Sequence, residues 1–173
     1  MDAKLIALKA KLTNSGSIMV SLTGTCMEPL LFEGDEALVR PLHPQEDVCV
    51  GDICVFKDAD GSLASHRVVS VFESKVMLKG DKSNKAEMIS RSHIIGTVGS
   101  VRLLNRQYWQ KIPGGIARRH LSAQLSKRIY HNTAIAHPAP IAKAARLRRR
   151  FFRHALMALN QQARSLMVKH PED

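Results

Sequence analysis

The feature that most restricts how this chain can fold is a change of rhythm near its middle. Between Ile18 and Leu103 the apolar residues come in short runs: Ile18–Leu22, Ala37–Val39, Ile53–Phe56, Arg67–Phe72, Lys75–Leu78 and Ile94–Leu103. The gaps carry Gly34-Asp35, Gly51-Asp52, Asp60-Gly61 and Gly80-Asp81. Runs this short, bounded by turn-forming residues, read as strands rather than helices. They predict a mainly β domain over residues 15–112. Ahead of it, Leu5, Leu8 and Leu12 share one helical face with Lys4, Lys9 and Lys11 on the others, which predicts a short amphipathic helix over residues 1–14, stopped by Asn14-Ser15-Gly16-Ser17. After Pro113-Gly114-Gly115 the spacing turns helical. Two helices are expected, about Ile116–Tyr130 and Ile141–Val168, separated by His137-Pro138-Ala139-Pro140, so that residues 113–173 form a helical extension.

Charge divides at the same place. Residues 1–101 hold 11 Lys/Arg and 13 Asp/Glu, whereas 102–173 hold 15 and 2, so the net charge of +11 lies entirely in the C-terminal part. A basic cluster of Arg146, Arg148, Arg149, Arg150 and Arg153 stands beside Leu147, Phe151 and Phe152. That combination suits an anionic membrane surface or an acidic partner better than nucleic acid, since no base-reading motif accompanies it. The three cysteines, Cys26, Cys49 and Cys54, are odd in number and follow no apolar leader, which argues against a secreted disulfide framework and for the cytoplasm, with membrane contact at most peripheral. No apolar run approaches the ~18–20 residues of a spanning helix.

The densest chemical signal is Gly24-Thr25-Cys26-Met27-Glu28-Pro29, directly after a predicted strand. It puts a small nucleophile on a sharp turn, with Gly24 freeing the backbone and Pro29 fixing the exit. Amides exposed there suit an oxyanion. A thiol needs a base, because free cysteine has a pKa of about 8.5. Ser65-His66-Arg67-Val68-Val69 supplies one, with the histidine on a strand. Lys79-Gly80-Asp81 and Glu87 supply carboxylates to orient the imidazole. Cys49 and Cys54 read as small core residues, the other seven histidines as structural, and Lys79 as structural rather than a base.

Together the blocks Gly24-x-Cys26-Met27-x-Pro29, Gly34-Asp35, Val50–Phe56, His66–Val69, Lys79-Gly80-Asp81 and Ile95–Val98 resemble, in their order, the S24/S26 peptidases, which include signal peptidases and self-cleaving repressors. The resemblance covers roughly residues 18–101. It implies a coiled β domain, hydrolysis of a peptide bond in a protein or peptide substrate through an acyl-enzyme, and neither metal nor other cofactor. His66 stands where one branch of the family has His and bacterial-type signal peptidases have Lys. By that likeness Cys26 is the nucleophile, His66 the base, Asp81 or Glu87 the third member with Asp81 preferred, and the Cys26 and Met27 amides, with Thr25, the oxyanion donors. The sequence departs from the family in holding Cys26 where Ser is usual, in placing Gly24 where some members offer a hydroxyl, and in lacking the membrane-spanning segment that signal peptidases carry before the nucleophile. A non-catalytic peptide-binding module is the alternative expectation. A self-cleaving regulator ranks third, since no DNA-reading helix-turn-helix precedes the β region.

Overall fold

The computed structural model describes residues 3–42, 47–58, 60–113, 115–134 and 139–169. One helix, α1 (Ala3–Ser15), precedes seven strands: β1 (Ile18–Ser21), β2 (Glu36–Pro41), β3 (Ile53–Lys57), β4 (Leu63–Val71), β5 (Lys75–Lys79), β6 (Ala86–Ser90) and β7 (Ile94–Arg102). Two long helices follow, α2 (Gly115–Ala134) and α3 (Ala139–Lys169). The strands form a single antiparallel sheet in the order β1-β2-β7-β3-β4-β5-β6. A mainly β fold with C-terminal helices is therefore what the chain adopts. Of the break expected at His137-Pro138-Ala139-Pro140, the first two residues lie outside the described residues, whereas Ala139 and Pro140 already form the first turn of α3, where a proline is tolerated.

β6 was not among the expected strands. Ala86-Glu87-Met88-Ile89-Ser90 is only weakly apolar and none of its residues is fully buried, because it forms the outer edge of the sheet with one neighbour only. It pairs Glu87 opposite Leu78 of β5, and that register matters below.

The ladders are irregular at Leu38/Val39, Val55/Phe56 and Val68/Ser70, where a bulge raises the local twist. Its apolar surfaces are covered in three places. Leu5 and Leu12 of α1 pack on Val39, Val55 and Ile95. Phe56, Val68, Leu78 and Ile94 form a second cluster with Cys54. The third joins Ala37, Ile53 and Val101 to the loop residues Met27, Leu30 and Leu31 and to Ala163 and Met167 of α3.

That third cluster answers where the helical extension goes. α2 and α3 form an antiparallel hairpin, α2 lies against β4, and α3 reaches across to the loops. Ala145, Leu156, Asn160, Ala163 and Met167 are its buried residues, at spacings that mark one face of a helix. Most of that stripe is apolar. The one polar member, Asn160, is 1 % exposed, and its partner is a residue of the β region.

Candidate active site

Cys26 follows β1 on a run of tight turns. The Glu28 amide donates to the Thr25 carbonyl at 3.2 Å, and the Leu30 and Leu31 amides both donate to the Met27 carbonyl at 3.1 Å. The turn begins at Gly24, whose φ of 75° is a left-handed value that a side chain would strain. Met27 is buried in the third cluster and anchors the turn, while Thr25 is exposed and Cys26 half-buried. A second loop, Gly80–Asn84, is fastened to it. The Lys82 amide donates to the Cys26 carbonyl at 2.9 Å, and the Lys82 ammonium meets Glu28 at 2.7 Å.

Gly80 is the point where the site closes. A Cβ there would lie 2.9 Å from the Cys26 carbonyl oxygen, 3.0 Å from Cys26 Cβ and 3.2 Å from His66 Cδ2. The cysteine and the imidazole therefore converge on one spot that only glycine leaves open. The thiol itself is placed to donate weakly to the Ser65 carbonyl at 3.8 Å, one residue before the histidine.

His66 sits on β4 opposite Cys54 of β3, its ring 5.4 Å from that of Phe56. Its Nδ1 faces Glu87, with 3.2 Å to Oε1, while the Cδ2 edge next to Nε2 faces Gly80 and Cys26. One ring nitrogen is thus turned towards a carboxylate and the opposite ring edge towards Gly80, beside which Cys26 Cβ also lies. The Glu87 contact is close but not aligned as a hydrogen bond, and Nδ1 is buried without a directed partner. A small rotation of the half-exposed Glu87 carboxylate would supply one.

Asp81 is placed differently from its expected role. Its carboxylate takes a two-pronged contact from Arg67, Nε to Oδ1 at 2.9 Å and Nη2 to Oδ2 at 2.7 Å, and accepts from Asn160 Nδ2 at 2.7 Å. Arg67 and Asp81 are 2 % and 1 % exposed. The reason is the two-residue period of a strand. His66 and Arg67 are consecutive, so their side chains leave opposite faces. Arg67 pairs with Lys79, whose face continues to Asp81, whereas Val68, on the face of His66, pairs with Leu78, and Leu78 with Glu87. The geometry thus joins His66 to Glu87 and gives Asp81 to Arg67. Asp81 still acts at a distance through its negative charge on both Cys26 and His66.

Electrostatics set the resting protonation. Burial pushes the Cys26 thiol up, and the charges of Asp81 and Glu87 push the same way, while the Cys26 and Met27 amides pull against them. Burial pushes His66 down, with Asp81 opposing and Lys79 assisting. Burial also raises the Glu87 carboxyl. Cys26 and His66 therefore rest as a neutral thiol and a neutral imidazole, not as a thiolate with an imidazolium. The two amides that face the sulfur are the ones expected to receive an oxyanion.

Lys79 is fully buried, donates to the Gly80 carbonyl at 3.0 Å, and has its pKa lowered to about 8, chiefly by burial. It shares the face of Arg67, away from His66. Of the remaining cysteines, Cys54 is buried as expected, but Cys49 is exposed, because it stands in the loop ahead of β3 and not in a strand.

Beside Cys26 lies a groove bounded by Val20 and Leu22 on one side and Leu63 and Ser65 on the other, with Leu31 and Val55 beneath. Both walls run along strand edges, although Leu22 is bonded to Gly34 and Asp35 and the Ser65 carbonyl faces the Cys26 thiol. β1 is the other outer strand of the sheet, and β4 does not pair with β5 until Arg67, which leaves Leu63–His66 unpaired on that side.

Comparison of the chain with protein-family models, with curated proteins and with solved structures gives no match. The resemblance to the S24/S26 peptidases therefore rests on the six ordered blocks of the sequence alone.

Proposed function

We propose that the protein is an S24/S26-like peptidase that cleaves a peptide bond in a specific protein or peptide. The observation that carries this reading is the convergence of Cys26 and His66 on Gly80, with Glu87 on the far side of the ring. An extended peptide lies in the groove, its backbone pairing with the free edges of β1 and the first half of β4 and its side chains resting on Leu31 and Val55. Cys26 attacks the scissile carbonyl as His66 takes the thiol proton, and the Cys26 and Met27 amides receive the oxyanion. His66 then returns the proton to the leaving amine. Water, activated by the same imidazole, hydrolyses the thioester and restores the thiol. Glu87 steadies the imidazolium throughout.

The neutral resting pair makes proton transfer part of the attack, so hydrolysis needs the imidazole neutral: it rises with pH through the lowered His66 value and is already on its plateau near neutrality, with no dependence on thiolate formation. Incubating the protein with a complex peptide mixture and reading new termini by mass spectrometry tests the proposal. Cys26→Ala and His66→Ala should each erase the new termini; a peptide pattern that survives Cys26→Ala ends it.

One observation favours a second reading, a peptide-binding module without hydrolysis: the thiol is held protonated and aimed at the Ser65 carbonyl. Under that reading peptides bind the groove, and Cys26→Ser leaves both binding and the absence of cleavage unchanged.

A further inference from the structure

We propose that the N-terminal half of α3 is a docking face for an anionic lipid bilayer. The proposal stands on surface residues remote from Cys26, so it survives or fails separately from the peptidase reading. α3 is divided along its length. From Arg153 onward one face of the helix is committed to the β region: Arg153 bonds Asn84, Asn160 bonds Asp81, and Arg164 bonds the Leu30 carbonyl at 3.1 Å, pairs with Asp35 and lies 4.5 Å from the centre of the Phe32 ring. The basic cluster is thus not uniform, since Arg153 is already engaged.

Before Arg153 the outward face is different. Leu147 and Phe151 are 69 % and 67 % exposed, the two most exposed large apolar side chains among the described residues. They stand four apart, one above the other on the helix. At about 100° per residue, Arg146 and Arg150 fall on one side of this pair and Arg148 on the other, all three exposed. The buried Ala145 and Leu156 lie on the opposite face, turned to the protein. Among the described residues of 102–173 there is no acid, because the only two, Glu172 and Asp173, lie outside them.

An apolar strip with arginines on both flanks matches one kind of surface. In an anionic bilayer the phosphates form a charged layer directly above hydrocarbon, so Leu147 and Phe151 enter the acyl boundary while the guanidinium groups reach back to the headgroups. A nucleic acid or a soluble acidic peptide would satisfy the arginines and leave the two apolar side chains in water, which makes lipid the better match.

The full chain is mixed with vesicles of phosphatidylcholine containing phosphatidylglycerol, or of phosphatidylcholine alone, and sedimented. Binding is expected to the anionic vesicles and to fall as salt rises. The pair Leu147→Gln and Phe151→Gln should lower partitioning about ten-fold or more at unchanged helicity, since both positions are exposed and the ring contact of Phe151 is only with its neighbour Phe152 on the same helix. Arg148→Gln with Arg150→Gln should also lower it and flatten the salt dependence. Equal partitioning of the apolar double variant and the parent chain overturns the proposal, as does an RNA oligonucleotide or acidic peptide that displaces the protein from vesicles and binds the double variant undiminished.

Discussion

His66 and Arg67 are neighbours in sequence and face opposite sides of one strand, and the two sides are built to different standards. Around Arg67 every charge has a partner: Asp81 grips the guanidinium, Asn160 completes Asp81, the Gly51 carbonyl accepts from Arg67 at 3.0 Å, and Lys79 is tied to Gly80. Around His66 the groups are close but unspent. Nδ1 has no directed partner, the thiol makes only a long contact, and Glu87 is half exposed. A satisfied polar cluster holds geometry, whereas groups left short of partners are free to exchange protons with a substrate. The same two loops are thereby fixed from one side and open to chemistry on the other.

Breaking the Arg67 side should be costly. Asp81→Ala leaves a buried guanidinium without its counter-charge and is expected to destabilise the fold by about 3–5 kcal/mol in urea unfolding. A loss below about 1 kcal/mol would mean that the cluster is not what holds the Gly80 loop. The buried Lys79 gives a pH signature. Its folded value of about 8 lies below the ordinary 10.5, so between those values the unfolded chain binds more protons and stability climbs with pH. That climb should amount to about 3 kcal/mol and vanish in Lys79→Met. A variant with the parent's pH slope would assign the effect to another group.

Asn160→Leu tests whether α3 serves the site. It removes a hydrogen bond to a charged carboxylate, and about 1.5–3 kcal/mol should be lost. Thiol-dependent cleavage should fall with it as the Gly80 loop loosens. The smallest stability effect belongs to Glu87→Gln on the His66 side, under about 1 kcal/mol because the residue is on an outer strand and half exposed. Its hydrolysis rate should nevertheless drop far more than that of any surface control. If instead Glu87→Gln unfolds the protein and spares cleavage, the contrast between the two faces is wrong.

Several elements were legible before any coordinates. Strands β1 to β5 and β7 follow from runs such as Ile53–Phe56 and Lys75–Leu78, because alternation and turn residues are local signals. β6 escaped, since an outer strand needs little apolar content. The turn at Cys26 and a strand-borne His66 were visible as residue types in order. The choice of carboxylate was not. Asp81 stands in the more recognisable Gly-Asp block, yet which face it serves depends on the pairing of β5 with β4, and Glu87 enters only through the pairing of β6 with β5. Asn160 gave one faint signal, a polar residue within an apolar helical stripe.

The chain's sequence by itself determined which segments alternate, where they turn, and that the basic charge gathers at one end, because each depends on residues only a few positions apart. Tertiary structure decided which distant groups meet. Register across strands sends His66 to Glu87 and Arg67 to Asp81, and packing of α3 engages Arg153 and Arg164 with the β region while leaving Arg146, Arg148 and Arg150 exposed. Such choices belong to long-range contacts, whose free energy is shared among many residues and written in no single motif.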